Sequence, residues 1–251
     1  MVGQRKRLEG VLNIIRFNWH QYIIVLVILV ILITIGSFLT QPFQELVFLA
    51  GMLILLTTLI SLFVSYYVYD CSDLYELNFV GKLDQQKVLN INAGFDEISA
   101  LMRAKYPDIK LTIADFYNPD FHTEVSIKRA RKRYSPQRGT IQVETTALSF
   151  PNDEFDKTIS IFSAHEIRNQ EERICFLKEL RRVSKRTGEI IITEHLRDIP
   201  NFLAYSIGFL HFYSRRSWIN CFEVADLKLI REIKTTNFVT TFVLSPHGTK
   251  S

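Results

Sequence analysis

The chain has 251 residues, 47% of them hydrophobic, and carries a formal net charge of +4. That length allows one domain with an appendage. Its three cysteines, Cys71, Cys175 and Cys221, are odd in number, far apart and without a CxxC pair. They argue against a disulfide framework or a structural zinc site and indicate a reducing compartment. The modest positive balance, in a chain whose longest apolar runs lie near its start, reads as membrane orientation and lipid contact more than nucleic-acid binding.

The first element is an uncharged run from Tyr22 to Leu39, followed by a second from Leu46 to Val68. Each is long enough to cross a ~30 Å hydrocarbon layer as a helix. The short connector holds no Lys or Arg, so residues 1–69 are expected to form an antiparallel membrane hairpin, with helices over about 21–39 and 46–68. A cleaved signal peptide is the alternative, but the run is too long for an h-region and no small-x-small site precedes Pro42. Tyr66, Tyr67 and Tyr69 suit an interfacial belt. Arg5, Lys6, Arg7 and Arg16 before the first run place the N-terminus, and with it the domain beyond Tyr69, on the cytoplasmic side. No ionisable side chain lies inside either run, which favours an anchor over a transport path.

Residues 70–87 read as a polar linker with an amphipathic piece, Leu74 to Val80, packed on the domain or resting at the lipid surface. From Val88 to Asp115 the pattern is strand, tight turn at Asn92-Ala93-Gly94, helix opening at Asp96-Glu97, strand, acid. In an open parallel sheet this unit offers backbone N–H groups to a ligand's polar part and a carboxylate to a ribose hydroxyl pair. A helix is expected over about Pro119 to Arg133. Its basic cluster, Lys128, Arg129, Arg131, Lys132 and Arg133 with Arg138, reads equally as anionic-lipid contact or a solvated face. Nucleic acid ranks last, for want of interleaved aromatics.

Thr140 to Val143 and Thr158 to Phe162 read as strands, and an amphipathic helix covers about Gln170 to Ser184, ended by Thr187-Gly188. Glu189 to Thr193 is a further strand, closed by Glu194-His195. Strands alternating with helices indicate a mostly parallel α/β sheet. The apolar segment Asn201 to Tyr213 is too short to span a membrane and is either a lid over an apolar substrate or part of the core, the core reading being slightly favoured. Ser214 suits an N-cap for a helix to about Val224, and Lys228–Lys234 with Phe238–Leu244 an antiparallel strand pair.

The stretches VLNINAGFDE, ALSFPNDEFD, AHEI and FLKELRRVSKRTGEIIITEH and the final strand pair, in this order, resemble the class I S-adenosylmethionine-dependent methyltransferases, most closely the branch acting on quinones, sterols and other small lipophilic molecules. The resemblance covers about Val88 to Leu244 and implies a Rossmann-like methyltransferase sheet, mostly parallel with an antiparallel last strand, over residues 88–251, with S-adenosylmethionine as cofactor. It places Asn90, Asn92 and Gly94 at the cofactor turn, Asp115 on the ribose, and Glu144 with Thr145 at the adenine. Asn90 stands where the family has an acid, and Asn92 and Asp96 where it has glycines. Asn and Asp tolerate a left-handed backbone better than other side chains.

Methyl transfer from a sulfonium needs alignment and desolvation more than a covalent nucleophile. His165, Glu166, Glu194 and His195 fall at expected carboxyl ends of central strands. His165 is the first choice for an acceptor-side base, with a loop-holding role as the alternative. No ligand spacing supports a metal on His165, Glu166 and His195. The reading is therefore a membrane-anchored methyltransferase acting on a lipophilic or membrane-associated small molecule. The alternative is a methyltransferase-fold scaffold or regulator that has lost turnover.

Overall fold

The computed structural model describes residues 6–122 and 124–246; Arg5 lies outside them. The periodicities of the chain become helices α1 (Glu9–Phe17), α2 (Trp19–Phe38) and α3 (Phe43–Tyr66). Strand β1 (Lys87–Asn92), α4 (Ser99–Lys105), β2 (Lys110–Asp115), α5 (Val125–Arg133), β3 (Ile141–Gln142) and β4 (Phe155–Ile161) follow. The chain continues through α6 (Gln170–Val183), β5 (Ser184–His195), α7 (Ile199–Tyr205), α8 (Arg215–Val224), β6 (Lys228–Thr236) and β7 (Val239–Ser245). The seven strands form one sheet in the order β3-β2-β1-β4-β5-β7-β6. β1, β2, β3, β4 and β5 run parallel and β7 is antiparallel to β5 and β6.

One face of the sheet packs Phe176, Leu177, Leu180, Trp218 and Phe222 from α6 and α8 against Leu89, Ile190, Ile192 and Phe242. Helix α6 is capped by Asn169, which accepts the N–H of Glu172, and α8 by Ser214, which accepts that of Ser217. The other face is covered by α4 and by the segment leading into the sheet, including Val64, Val68, Leu74, Leu77, Val80 and Leu83. The amphipathic piece at 74–80 thus lies in the core, as two 3₁₀ turns, Asp73–Glu76 and Asn78–Val80.

Helices α2 and α3 are long and apolar enough to cross a membrane, each with a mean hydropathy of 2.6, and only 6% of each span is buried by the rest of the chain. Their large side chains, among them Ile24, Leu26, Ile33, Leu53 and Phe63, point outward. A core helix of a soluble protein would be mostly buried, and these are not.

Several elements differ from expectation. The periodicity did not reveal α1, a short amphipathic helix whose buried Asn13 and Phe17 dock on α5. Helix α5 is shorter than expected, beginning at Val125, because the residues after Pro119 turn on Asn118, whose carbonyl accepts the His122 N–H at 2.8 Å. Thr187-Gly188 does not end α6: the helix stops at Val183 and β5 runs through the pair. Gly188 is needed there because a Cβ would lie 2.8 Å from the Asp156 carbonyl of β4, beside a register shift. Asn201 to Tyr213 is core only in part: Ala204 is buried, and Tyr205 and Tyr213 pack against the core, while Phe202, Leu203, Ile207 and Leu210 are exposed. Tyr69 leaves any interfacial belt and turns inward, its hydroxyl 2.8 Å from His195 Nε2.

The end of the hairpin is part of the domain's hydrophobic core. Val68 is fully buried, so Val68→Ala is expected to cost roughly 1–3 kcal/mol. Thermal unfolding of the detergent-solubilised full chain checks this. An unchanged midpoint would show that the hairpin and domain are packed independently.

Candidate active site

The turn after β1 is built by the amides that stand in place of acid and glycine. Asn90 Nδ2 donates to Ser99 Oγ at 2.8 Å and to Asp96 Oδ1 at 3.2 Å. Asp96 Oδ1 in turn accepts the N–H groups of Ile98 and Ser99 at the start of α4. Asn92 Oδ1 accepts the Gly94 N–H and its Nδ2 donates to the Ala114 carbonyl, both at 3.0 Å. Gly94 has φ +96°, a region where a side chain is strained. Asn90 and Asn92 thus hold the loop, and the turn forms with Gly94 alone of its usual glycines.

Asp115, buried at the end of β2, accepts the Tyr117 N–H at 2.8 Å and a short charged hydrogen bond from Arg131 of α5. The Arg131 guanidinium also lies 4.4 Å from the Tyr117 ring centroid. A Cβ at Gly94 would meet Arg131 Cδ at 2.8 Å. Only about 20 Å³ of space remains among Asn92, Gly94, Asp96 and Asp115. Beyond it, at the ends of β2 and β3, an open cleft of about 1400 Å³ is lined by Phe116, Tyr117, Arg131, Glu144 and Thr145. Glu144 is exposed to that cleft. Thr145 is tied instead to α6, its hydroxyl donating to Glu172 Oε1 at 2.5 Å.

The basic cluster is thereby divided. Arg131 is spent on Asp115. Arg129 donates to the Phe17 carbonyl at 2.6 Å and approaches His20 Nδ1 at 2.7 Å, linking α5 to the helices before the sheet. These two face inward, while Lys128, Lys132 and Arg133 remain exposed.

A second cavity, of about 570 Å³, lies between the hairpin side and the carboxyl ends of β1, β4 and β5, with Phe17, Ser65, Phe95, Phe162, His165 and His195 in its wall. His165 Nδ1 donates to Glu194 Oε2 at 2.6 Å and its backbone N–H to Glu194 Oε1 at 3.1 Å. His165 Nε2 lies 3.1 Å from Glu166 Oε1. Burial alone would push the His165 ring below its ordinary value, but the Glu194 and Glu166 carboxylates outweigh it and hold it well above. Burial would raise Glu166, and the adjacent His165 brings it down instead. A ring kept protonated donates hydrogen bonds and takes no proton, so this state does not suit the base role expected of His165.

His195 is different. Its ring stacks between Phe162 and Phe212, with centroids 5.0 and 4.9 Å away. Nδ1 is 2.9 Å from the Phe238 carbonyl and Nε2 faces the Tyr69 hydroxyl, which sets Nδ1–H as donor and Nε2 as acceptor. Burial pushes it down to about 4. His211 also reaches the His165 cluster: Glu124 Oε1 is 3.1 Å from its Nδ1 and Glu166 Oε1 3.9 Å from its Nε2. Burial pushes it down to about 3, with His165 and Arg168 adding to the effect. Sequence reasoning passed over His211, whose only signal was a lone imidazole inside an aromatic run, and over Arg131 and Arg168.

The strand order, with its antiparallel β7 inserted between β5 and β6, and ligand-facing turns at the carboxyl ends of β1 and β2 define a Rossmann-like methyltransferase fold. Residues 95–192 match a family model described as a methyltransferase domain. A Pyrococcus horikoshii structure is 18% identical, covering 69% of this chain and 87% of its own, with a TM-score of 0.51. A Haloferax volcanii chain from a complex of a putative methyltransferase and its activator is 10% identical over 68% and 86%, at 0.50. An S-adenosylmethionine-dependent methyltransferase from Aquifex aeolicus is 16% identical over 70% and 93%, at 0.48. No curated protein matches the chain. Residues 95–192 thus carry a methyltransferase domain, and the sheet has the fold of the S-adenosylmethionine-dependent methyltransferases.

The residues fit that cofactor in part directly and in part by exchange. Glu144, exposed to the open cleft, and Asp115, at the end of β2, would hold the adenine and the ribose. Ribose hydroxyls would compete with Arg131 for Asp115, and the atoms crowding Gly94 include the far end of the flexible Arg131 side chain.

Proposed function

We propose that the chain is a membrane-tethered methyltransferase whose acceptor is a lipophilic molecule taken from the bilayer into the 570 Å³ cavity. The observation that supports this reading is the cavity's position. One wall comes from the ends of the apolar helices and the other from the strand ends where the family transfers its methyl group. Apolar and aromatic lining favours an apolar body, and the His165–Glu166 pair supplies a polar group to orient the reacting atom. The exposed apolar residues of α7 and the turn after it, Leu203, Ile207 and Leu210, lie on the segment whose Tyr205, Gly208 and His211 line the cavity and suit contact with lipid. Lys128, Lys132 and Arg133 suit anionic headgroups at ~1 kcal/mol each. Basic residues Lys6, Arg7 and Arg16 before α2 support a cytoplasmic side for the catalytic domain.

The test uses the full chain in vesicles of total membrane lipid with methyl-labelled S-adenosylmethionine. Label is expected in the organic extract. Label only in water-soluble products would overturn the lipophilic assignment. The Arg131–Asp115 closure favours a second reading, a scaffold without turnover, and any methylated product would rule that out.

A further inference from the structure

We propose that His165, Glu166 and His211 bind one divalent transition-metal ion in the wall of the 570 Å³ cavity. The three donor atoms lie within 4.8 Å of one another. The site is drawn from three separate pieces of chain: the turn after β4, which supplies His165 and Glu166, the turn after α7, which supplies His211, and the end of β5, which supplies the supporting Glu194.

The distances point to the ligand atoms. His165 Nδ1 hydrogen-bonds Glu194 at 2.6 Å, and both histidines turn Nε2 toward the same oxygen, Glu166 Oε1, at 3.1 and 3.9 Å. The carboxylate behind His165 Nδ1 orients that ring and makes its Nε2 the more basic ligand, which is how metal-bound histidines are commonly supported. Two imidazole nitrogens and a carboxylate oxygen at ~2.0–2.2 Å from one ion are about 3 Å apart from each other, so the His165–Glu166 pair is already at ligand spacing. His211 has to close in on that pair, and it sits on a short 3₁₀ turn, Ser206–His211.

Glu166 is buried and Glu194 more so, and two carboxylates converging on one ring call for positive charge between them; a bound ion would replace the proton on His165 Nε2. Arg168 stands beside His211 in this structure. Its Nη2 lies 2.7 Å from Glu124 and 2.7 and 2.5 Å from the two His211 nitrogens. Its side chain is 40% exposed and can withdraw from Nε2 while keeping Glu124. Two nitrogens and one carboxylate, with the remaining positions open to the cavity, suit zinc, iron(II), cobalt or manganese better than calcium or magnesium.

The experiment uses the full chain in detergent, stripped with chelator and titrated with cobalt(II) alone. Visible d–d bands reaching a plateau at one equivalent are expected. His211→Ala and Glu166→Gln should weaken binding at least ~10-fold. His211 is half-exposed, so the first variant keeps the fold, which thermal melting verifies. Asp115→Asn should leave the cobalt spectrum unchanged while weakening S-adenosylhomocysteine binding, so the metal site and the methyltransferase reading fail separately. No bands at stoichiometric cobalt, or equal affinity in His211→Ala, would overturn the proposal.

Discussion

Arg131→Ala is expected to tighten binding of S-adenosylhomocysteine by roughly ten- to a hundredfold. The buried Asp115 carboxylate must release the Arg131 guanidinium before it can take a ribose. A hydrogen bond to a charged partner is worth about 1.5–3 kcal/mol, and about 1.4 kcal/mol is a factor of ten in affinity. Removing Arg131 removes that competition and also clears the space beside Gly94. The same substitution strands a buried carboxylate, so the variant without ligand should be less stable, by about 1–3 kcal/mol. Affinity gained and stability lost in one variant is the signature of a plug. Calorimetric titration and thermal unfolding read the two effects. Weaker binding in Arg131→Ala would instead make Arg131 a ligand of the cofactor.

The second large effect is acid sensitivity through His195. Its folded value, pushed by burial to about 4, lies below the ordinary 6.5 of an unfolded histidine. The unfolded chain therefore takes up the proton first as the pH falls. Stability from this residue is present above about pH 6.5 and is lost between there and about pH 4. The difference of about 2.5 units corresponds to about 3 kcal/mol. His165 acts in the opposite sense: its raised value adds stability that is present below pH 6.5 and lost as the pH climbs through the folded value. A chain kept most stable near neutrality results. Denaturant unfolding at pH 7.5 and pH 5 should show the acid loss in the wild type and most of it absent in His195→Gln. The glutamine keeps a donor for Phe238 and cannot titrate. Equal losses in both would assign the acid sensitivity elsewhere.

The fold was legible because its signals are local. Alternating strands and helices, the Ser214 cap, and the final strand pair follow from short-range pattern, and the apolar runs of α2 and α3 from composition. The loop at Asn92-Ala93-Gly94 was legible as a turn, and the structure explains how it tolerates its substitutions. Asn90 and Asn92 satisfy each other's neighbours, Ser99, Asp96, Gly94 and Ala114, instead of facing solvent.

What sequence could not supply was pairing across distance. Arg131 is 16 residues from Asp115 and sits on a helix whose charges read equally well as a lipid-facing stripe. Nothing local distinguishes Arg129 and Arg131, which turn inward, from their neighbours Lys132 and Arg133. The same holds for His211, 46 positions after His165, and for Tyr69, whose place at the end of an apolar run suggested a lipid interface and whose hydroxyl instead meets His195. Thr187-Gly188 misled for a different reason. A glycine after a helix is usually a cap, but here it is required by the close approach of the Asp156 carbonyl from the neighbouring strand.

The central claim is that the amide-built turn and Asp115 still hold an adenosyl cofactor. The most direct measurement is calorimetric titration of S-adenosylhomocysteine into the full chain, side by side with Asp115→Ala. Saturable one-site binding in the wild type, lost in the variant, is the predicted result. An absence of binding up to millimolar ligand, or equal binding by Asp115→Ala, would contradict it.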